Sequence, residues 1–198
     1  LPGMPALAVP AVGLNRYWIT GTFNAGDAQS TLYLGTGHNN LSTARGGRIY
    51  KSVDGGATWA QLTAADDYCM GQCFYDQPVW TEPGNKNNVY HGGAGAVATS
   101  GTTKANLRRQ TEGGATFVDI MRCVAPCTVN GGPTAIHSDT HFIMTQPTAN
   151  NVLWVSGDGG IWRSTDRGDT WQDRNTNLAI TQFTGFDINL SDPGNQAY

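Results

Sequence analysis

His137, Asp139 and His141 alternate along the chain, so in an extended strand their side chains would share one side. Two imidazoles and a carboxylate can form a metal site. Nothing else in the sequence supplies the groups that orient such ligands. The favoured reading is a hydrogen-bonded lining, and neither metal nor cofactor is expected. A further acid stands in Gly157-Asp158-Gly159-Gly160. Glycoside hydrolysis needs two carboxylates about 5 Å apart for retention of configuration, or about 6.5–9.5 Å apart for inversion. Asp139 and Asp158 are therefore the candidate catalytic pair. The competing reading of Asp158 is a cap on its own Gly-rich turn. A second cluster holds Asp66, Asp67, Tyr68, Tyr75 and Asp76 around Cys69 and Cys73. Acids beside aromatics suit sugar recognition and equally suit a protein contact. The binding candidates are thus His137, His141, Tyr75 and Asp76.

The elements that must position these groups are strands. Gly accounts for 26 of 198 residues and charged residues for only 14%, while Thr, Asn, Val, Trp and Tyr are abundant. No long stretch has helical spacing. The net charge of −3, with scattered Lys and Arg, excludes a basic stripe for nucleic acid. No apolar run reaches the roughly 18 residues that span a bilayer. Pro2, Pro5 and Pro10 break the apolar opening, which lacks the basic start of a signal peptide. The cysteines form two local pairs, Cys69-x3-Cys73 and Cys123-x3-Cys127. Zinc sites favour tighter spacing, so the reading is two short disulfides, 69–73 and 123–127, in an oxidising compartment.

Three segments repeat. Ser52-Val53-Asp54-Gly55-Gly56-Ala57-Thr58-Trp59 and Ser164-Thr165-Asp166-Arg167-Gly168-Asp169-Thr170-Trp171 both fit S-x-D-x-G-x-x-W. Gln110 to Phe117 is a degenerate copy with Glu112 in place of the Asp. The short carboxylate accepts hydrogen bonds from the backbone of its own turn. Gly supplies the positive φ of a tight hairpin, and Trp59 or Trp171 opens the return strand with a ring to bury. Asp54, Glu112 and Asp166 are therefore structural. Upstream, a Pro turn between strands recurs at Pro83 and Pro147, and begins again near Pro193. Four antiparallel strands at a period near 55 residues make a propeller blade. The predicted fold is all-β, a β-propeller of four-stranded antiparallel blades with Asp-box hairpins. Its units run approximately 16–64, 74–122 and 138–176, and the start of another covers 183–198. Three blades do not close a propeller, which takes roughly four to eight. The 198 residues are expected to be one incomplete domain, completed by further blades of the same polypeptide or by neighbouring chains.

On the two full motifs the chain resembles the Asp-box, or BNR-repeat, superfamily, with its sialidases, xyloglucanases and sortilin-type ectodomains. The stretch from His137 through Gly157-Asp158-Gly159-Gly160-Ile161-Trp162-Arg163 to Phe183 is similar to secreted bacterial BNR-repeat glycosyl hydrolase-like proteins. The Arg-Ile-Pro signature of sialidases is absent here, whereas the acid, Gly pair and aromatic-Arg step resemble the xyloglucanases. The resemblance implies a secreted or periplasmic, carbohydrate-directed propeller with a polysaccharide or glycan partner, and glycoside hydrolase as the leading activity. The alternative is a non-catalytic scaffold or accessory subunit holding a protein partner in an extracytoplasmic assembly.

Overall fold

The computed structural model describes residues 16–40, 45–65, 68–69, 72–94, 107–111, 116–121, 136–137 and 139–178. Glu112, the Cys123 and Cys127 pair, Asp66, Asp67 and the strand expected within 183–198 lie outside the described residues.

Among the described residues, twelve strands form three antiparallel sheets of four. The first holds β1 (Arg16–Thr22), β2 (Thr31–Asn40), β3 (Arg45–Ser52) and β4 (Ala60–Gln61). The second holds β5 (Val79–Glu82), β6 (Asn85–His91), β7 (Arg108–Gln110) and β8 (Val118–Asp119). The third holds β9 (Thr140–Gln146), β10 (Ala149–Gly157), β11 (Gly160–Ser164) and β12 (Gln172–Asp173). Within each sheet the strands lie in chain order, an up-and-down meander. Together these sheets are blades of a β-propeller. Pro83 and Pro147 sit in the turns between the first two strands of their sheets, where the fixed φ of proline suits a turn and its missing N–H costs nothing. Among the described residues the helical content is confined to short 3-10 segments, Thr63–Ala65 and a position at Gln72.

Apolar residues occupy both faces of the inner strands. Val152 to Val155 of β10 are all buried, the continuous apolar pattern of a strand covered on two sides. One core fills the seam between the first and second sheets, with Tyr33 and Ile49 meeting Val79, Val89 and Phe117. A second core fills the seam between the second and third sheets, where Tyr90, Leu107 and Ile120 meet Ile143, Leu153, Val155 and Trp171. Polar contacts close the same seams. Gly84 N–H donates to Thr22 Oγ1 at 2.6 Å, and Trp80 Nε1 donates to Thr145 Oγ1 at 3.1 Å.

The two full Ser-x-Asp turns have matching geometry. Ser52 Oγ is 2.7 Å from Asp54 Oδ1 and accepts from Gly56 N at 2.9 Å, while Asp54 accepts from Thr58 N at 2.8 Å. Ser164 Oγ is likewise 2.7 Å from Asp166 Oδ1, and Asp166 accepts from Thr170 N at 2.8 Å. The hydroxyl and backbone bonds from Thr58, with that from Ser52, lower the Asp54 carboxyl to about 2. At Asp166 burial pushes the carboxyl up, but the Thr170 and Ser164 bonds together bring it below its ordinary value. Both carboxylates are spent on their own turns.

Candidate functional site

The Ser-x-Asp turns and the Pro turns share one end of the sheets. Gly55 N–H donates to Ser30 O in the β1–β2 connection, and Arg167 N–H donates to Asn151 O at the start of β10. The catalytic and binding candidates gather at the opposite end, where β4 leads to β5 and β10 turns into β11.

Three pieces of chain build that cluster. The first is the β4–β5 connection. A disulfide joins Cys69 to Cys73, both fully buried, and Cys69 N–H is tied to Gly46 O. The turn closes as Tyr75 N–H and Asp76 N–H both donate to Gln72 O, at 2.8 and 3.0 Å. This fold-back carries Gln72, Tyr75 and Asp76 across to the third sheet. The second piece is the entry to β9. Thr140 N–H bonds to Gly93 O, which sets His141 as the second residue of the strand. The third is the two-residue turn at Asp158 and Gly159, between partners Gly157 and Gly160. Asp158 N–H donates to Asp139 O at 3.3 Å. A Cβ on Gly157 would fall 2.3 Å from that same carbonyl, so only glycine permits the approach. Asn175 anchors the turn from beyond β12, accepting from Ile161 N at 2.8 Å and donating to Gly159 O at 3.1 Å.

At the centre stands His141, whose side chain is 3% exposed. Its Nε2 is 2.6 Å from Asp158 Oδ1 and 3.3 Å from Asp76 Oδ1. The Tyr75 ring packs nearly perpendicular to the imidazole, centroids 4.5 Å apart. Asp76 is fully buried, whereas the Asp158 side chain is 37% exposed. Gln72 Nε2 donates to Asp139 Oδ1 at 3.2 Å. The arrangement presents one carboxylate to solvent, with one oxygen already fixed by an imidazole.

Of the six candidates, Tyr75, Asp76 and Asp158 each contact His141, and Asp139 adjoins Asp158 through the backbone and is bonded by Gln72. His137 is exposed, and its Cβ lies where a side chain on Gly159 would fall. The expected alternation of residues 137, 139 and 141 along one strand does not hold. Asp139 has φ 65°, and β9 starts one residue later, so the chain turns between the two histidines. Among the described residues no three His, Cys, Asp or Glu side chains converge as metal ligands. Sequence reasoning passed over Gln72 and Asn175. An amide between paired cysteines was the available signal for Gln72, and Asn175 gave none.

The other end carries a cleft of about 500 Å³ between the second and third sheets, lined by Asn85, Asn88, Arg109, Thr111, Arg167 and Asp169. Its two guanidinium groups are engaged. Arg109 bonds Arg167 O at 2.7 Å and Asp169 Oδ1 at 2.9 Å, and Arg167 Nε bonds the fully buried Glu82 at 3.0 Å.

The chain is similar in fold to the GH74 xyloglucanase from Xanthomonas campestris, with a TM-score of 0.59 and 14% identity. That match covers 91% of this chain and 26% of the enzyme. An ancestral GH74 enzyme matches with a TM-score of 0.47 and 11% identity, over 81% of this chain and 18% of that one. The chain thus spans about a quarter or less of these proteins. No protein-family model matches it, and no curated protein matches it in sequence. Fold and strand order define an all-β protein of the propeller class.

Proposed function

We propose that the chain belongs to an extracytoplasmic Asp-box β-propeller that binds and hydrolyses polysaccharide, with Asp158 and Asp139 as the acting carboxylates. The observation that carries this reading is the gathering of Asp158, His141, Asp76 and Tyr75 from three separated pieces of chain. Asp158, partly exposed and held at one oxygen, meets the substrate. Asp139, fixed by Gln72, is its partner. Hydrolysis adds water across a glycosidic bond: one carboxylate takes the water proton or attacks the anomeric carbon, and the other carboxyl protonates the departing oxygen. The fold likeness to a xyloglucanase makes xyloglucan the first substrate to try. The buried Cys69–Cys73 disulfide supports an oxidising compartment. On this reading the blade units run approximately 16–64, 74–122 and 138–176, and the start of another covers 183–198.

The test is to count new reducing ends when the protein meets xyloglucan and a panel of other β-glucans. Asp158→Ala and Asp139→Ala should each lower turnover at least about 100-fold with thermal unfolding unchanged. Full activity in Asp158→Ala would end the assignment. A second reading, a non-catalytic scaffold, draws on Tyr17, Ile19 and Phe23, which are 54%, 62% and 55% exposed along and just past β1. It would be favoured by a stable protein complex in a preparation with neither glycan hydrolysis nor glycan binding.

A further inference from the structure

We infer that Asp76 is a positioning residue that acts through His141 on Asp158. Resting on the hydrolase reading, this deepens the account of the same site. Asp76 is a fully buried carboxylate, and a buried carboxylate is costly unless a donor or a cation faces it. His141 lies at ion-pair distance from it, 3.3 Å. The same ring nitrogen lies 2.6 Å from Asp158 Oδ1. An unprotonated Nε2 would turn a lone pair toward two carboxylate oxygens at once. Nε2 therefore carries the proton and donates it to Asp158, with Asp76 behind as the charge that keeps it there.

The ring has little freedom to do otherwise. Tyr75, next to Asp76 in the disulfide-bounded connection, packs perpendicular to the imidazole and fixes its plane. Among the described residues, the ionisable groups that face His141 are Asp76 and Tyr75 from the β4–β5 connection and Asp158 from the β10–β11 turn, with Asp139 just ahead of β9. One N–H thus aims one oxygen of a half-exposed carboxylate, and the buried partner supplies the direction. A substrate would meet Asp158 already oriented, which is where a positioned group contributes to rate.

Two measurements on the same variants test this. In kinetics on xyloglucan, Asp76→Asn and His141→Gln should each lower kcat about 10- to 100-fold with KM within about twofold. The double variant Asp76→Asn/His141→Gln should be no slower than His141→Gln alone, because the inferred effect of Asp76 on Asp158 runs through the ring. Multiplying effects would mean that Asp76 merely packs, and would overturn the inference. In nuclear magnetic resonance with ring-labelled histidine, His141 should show a protonated, exchange-protected Nε2 at neutral pH. Asp76→Asn should speed exchange of that proton at least about tenfold while the three sheets keep their spectrum. An Nε2 without a proton in the native protein, or an unchanged signal in Asp76→Asn, would overturn it. Should Asp76→Asn not fold, the native Nε2 spectrum decides alone. Should the protein hydrolyse no glycan, the hydrolase reading fails and the spectra still decide whether Asp76 governs His141.

Discussion

Gly55 and Arg167 occupy the same place in two copies of one turn, with φ 68° and 58°. A side chain in that left-handed region costs about 1 kcal/mol, which glycine avoids. Arg167 accepts the strain and in return places its guanidinium on Glu82, a carboxylate with no exposure that also accepts from Tyr90 and Asn88. That bond, ahead of the opposing burial, raises the already high pKa of Arg167. Arg167→Ala loses the pair and keeps the strain, whereas Arg167→Gly loses the pair and relieves it. Both should be less stable than the native protein, and the Gly variant should exceed the Ala variant by about 1 kcal/mol in chemical denaturation. Equal stabilities would show that the strain is absent or released elsewhere. Asp54 offers a second test. Its folded carboxyl is lowered to about 2 from an ordinary 3.8, so its contribution is whole above about pH 4 and is lost as pH falls toward 2. Asp54→Asn should therefore show a flatter fall of Tm over that window than the native protein. At this scale the turn carboxylates were legible, because their donors lie within four residues. The contact of Asp76 with His141 joins residues far apart in sequence, and spacing carries no trace of it. The alternation at 137–141 misled because periodicity assumes an unbroken strand, and Asp139 breaks it.

Between β4 and β5 the chain does more than connect. It lays Tyr68 and both cysteines into the core of the first seam and then presents Gln72, Tyr75 and Asp76 to the third sheet. A cross-link enclosing so short a loop contributes about 2 kcal/mol by restricting the unfolded chain. Cys69→Ser/Cys73→Ser should lower stability by about that amount in urea while the strands remain. It should also loosen the hold on His141, read as faster exchange of its Nε2 proton. A loss below about 0.5 kcal/mol would mean that packing alone holds the connection. The sequence signal was sound for this element, since two cysteines four apart in a loop point to each other. It was sound as well for the Pro turns at 83 and 147, where proline chemistry is local. The strand pair β7 and β8 was harder to read, because three and two residues show no periodicity.

Three sheets stacked in a row share two seams, and the middle sheet belongs to both. Val89 faces the first core and its neighbour Tyr90 faces the second, so β6 carries one seam on each side. In such an array each unit is stabilised by its neighbours, and damage should spread along the row from where it is made. Trp59 and Trp171 close the same motif in the first and third sheets but bond differently. Trp59 Nε1 donates to Gly56 O of its own turn at 3.0 Å and packs with Leu34 and Tyr50 of its own sheet. Trp171 Nε1 donates to Ile120 O of the second sheet at 2.7 Å, and its ring lies in the core those sheets share. Replacing a buried Trp by Ala costs about 3–5 kcal/mol in either place, so global stability will not tell the two apart. Hydrogen exchange will. Trp171→Ala should expose amides of β5–β8 as well as β9–β12, because the lost ring served both sheets. Trp59→Ala should confine the loss to β1–β4. If Trp171→Ala left the second sheet as protected as in the native protein, the seam would not be what couples the blades, and each sheet would have to stand on its own hydrogen bonds.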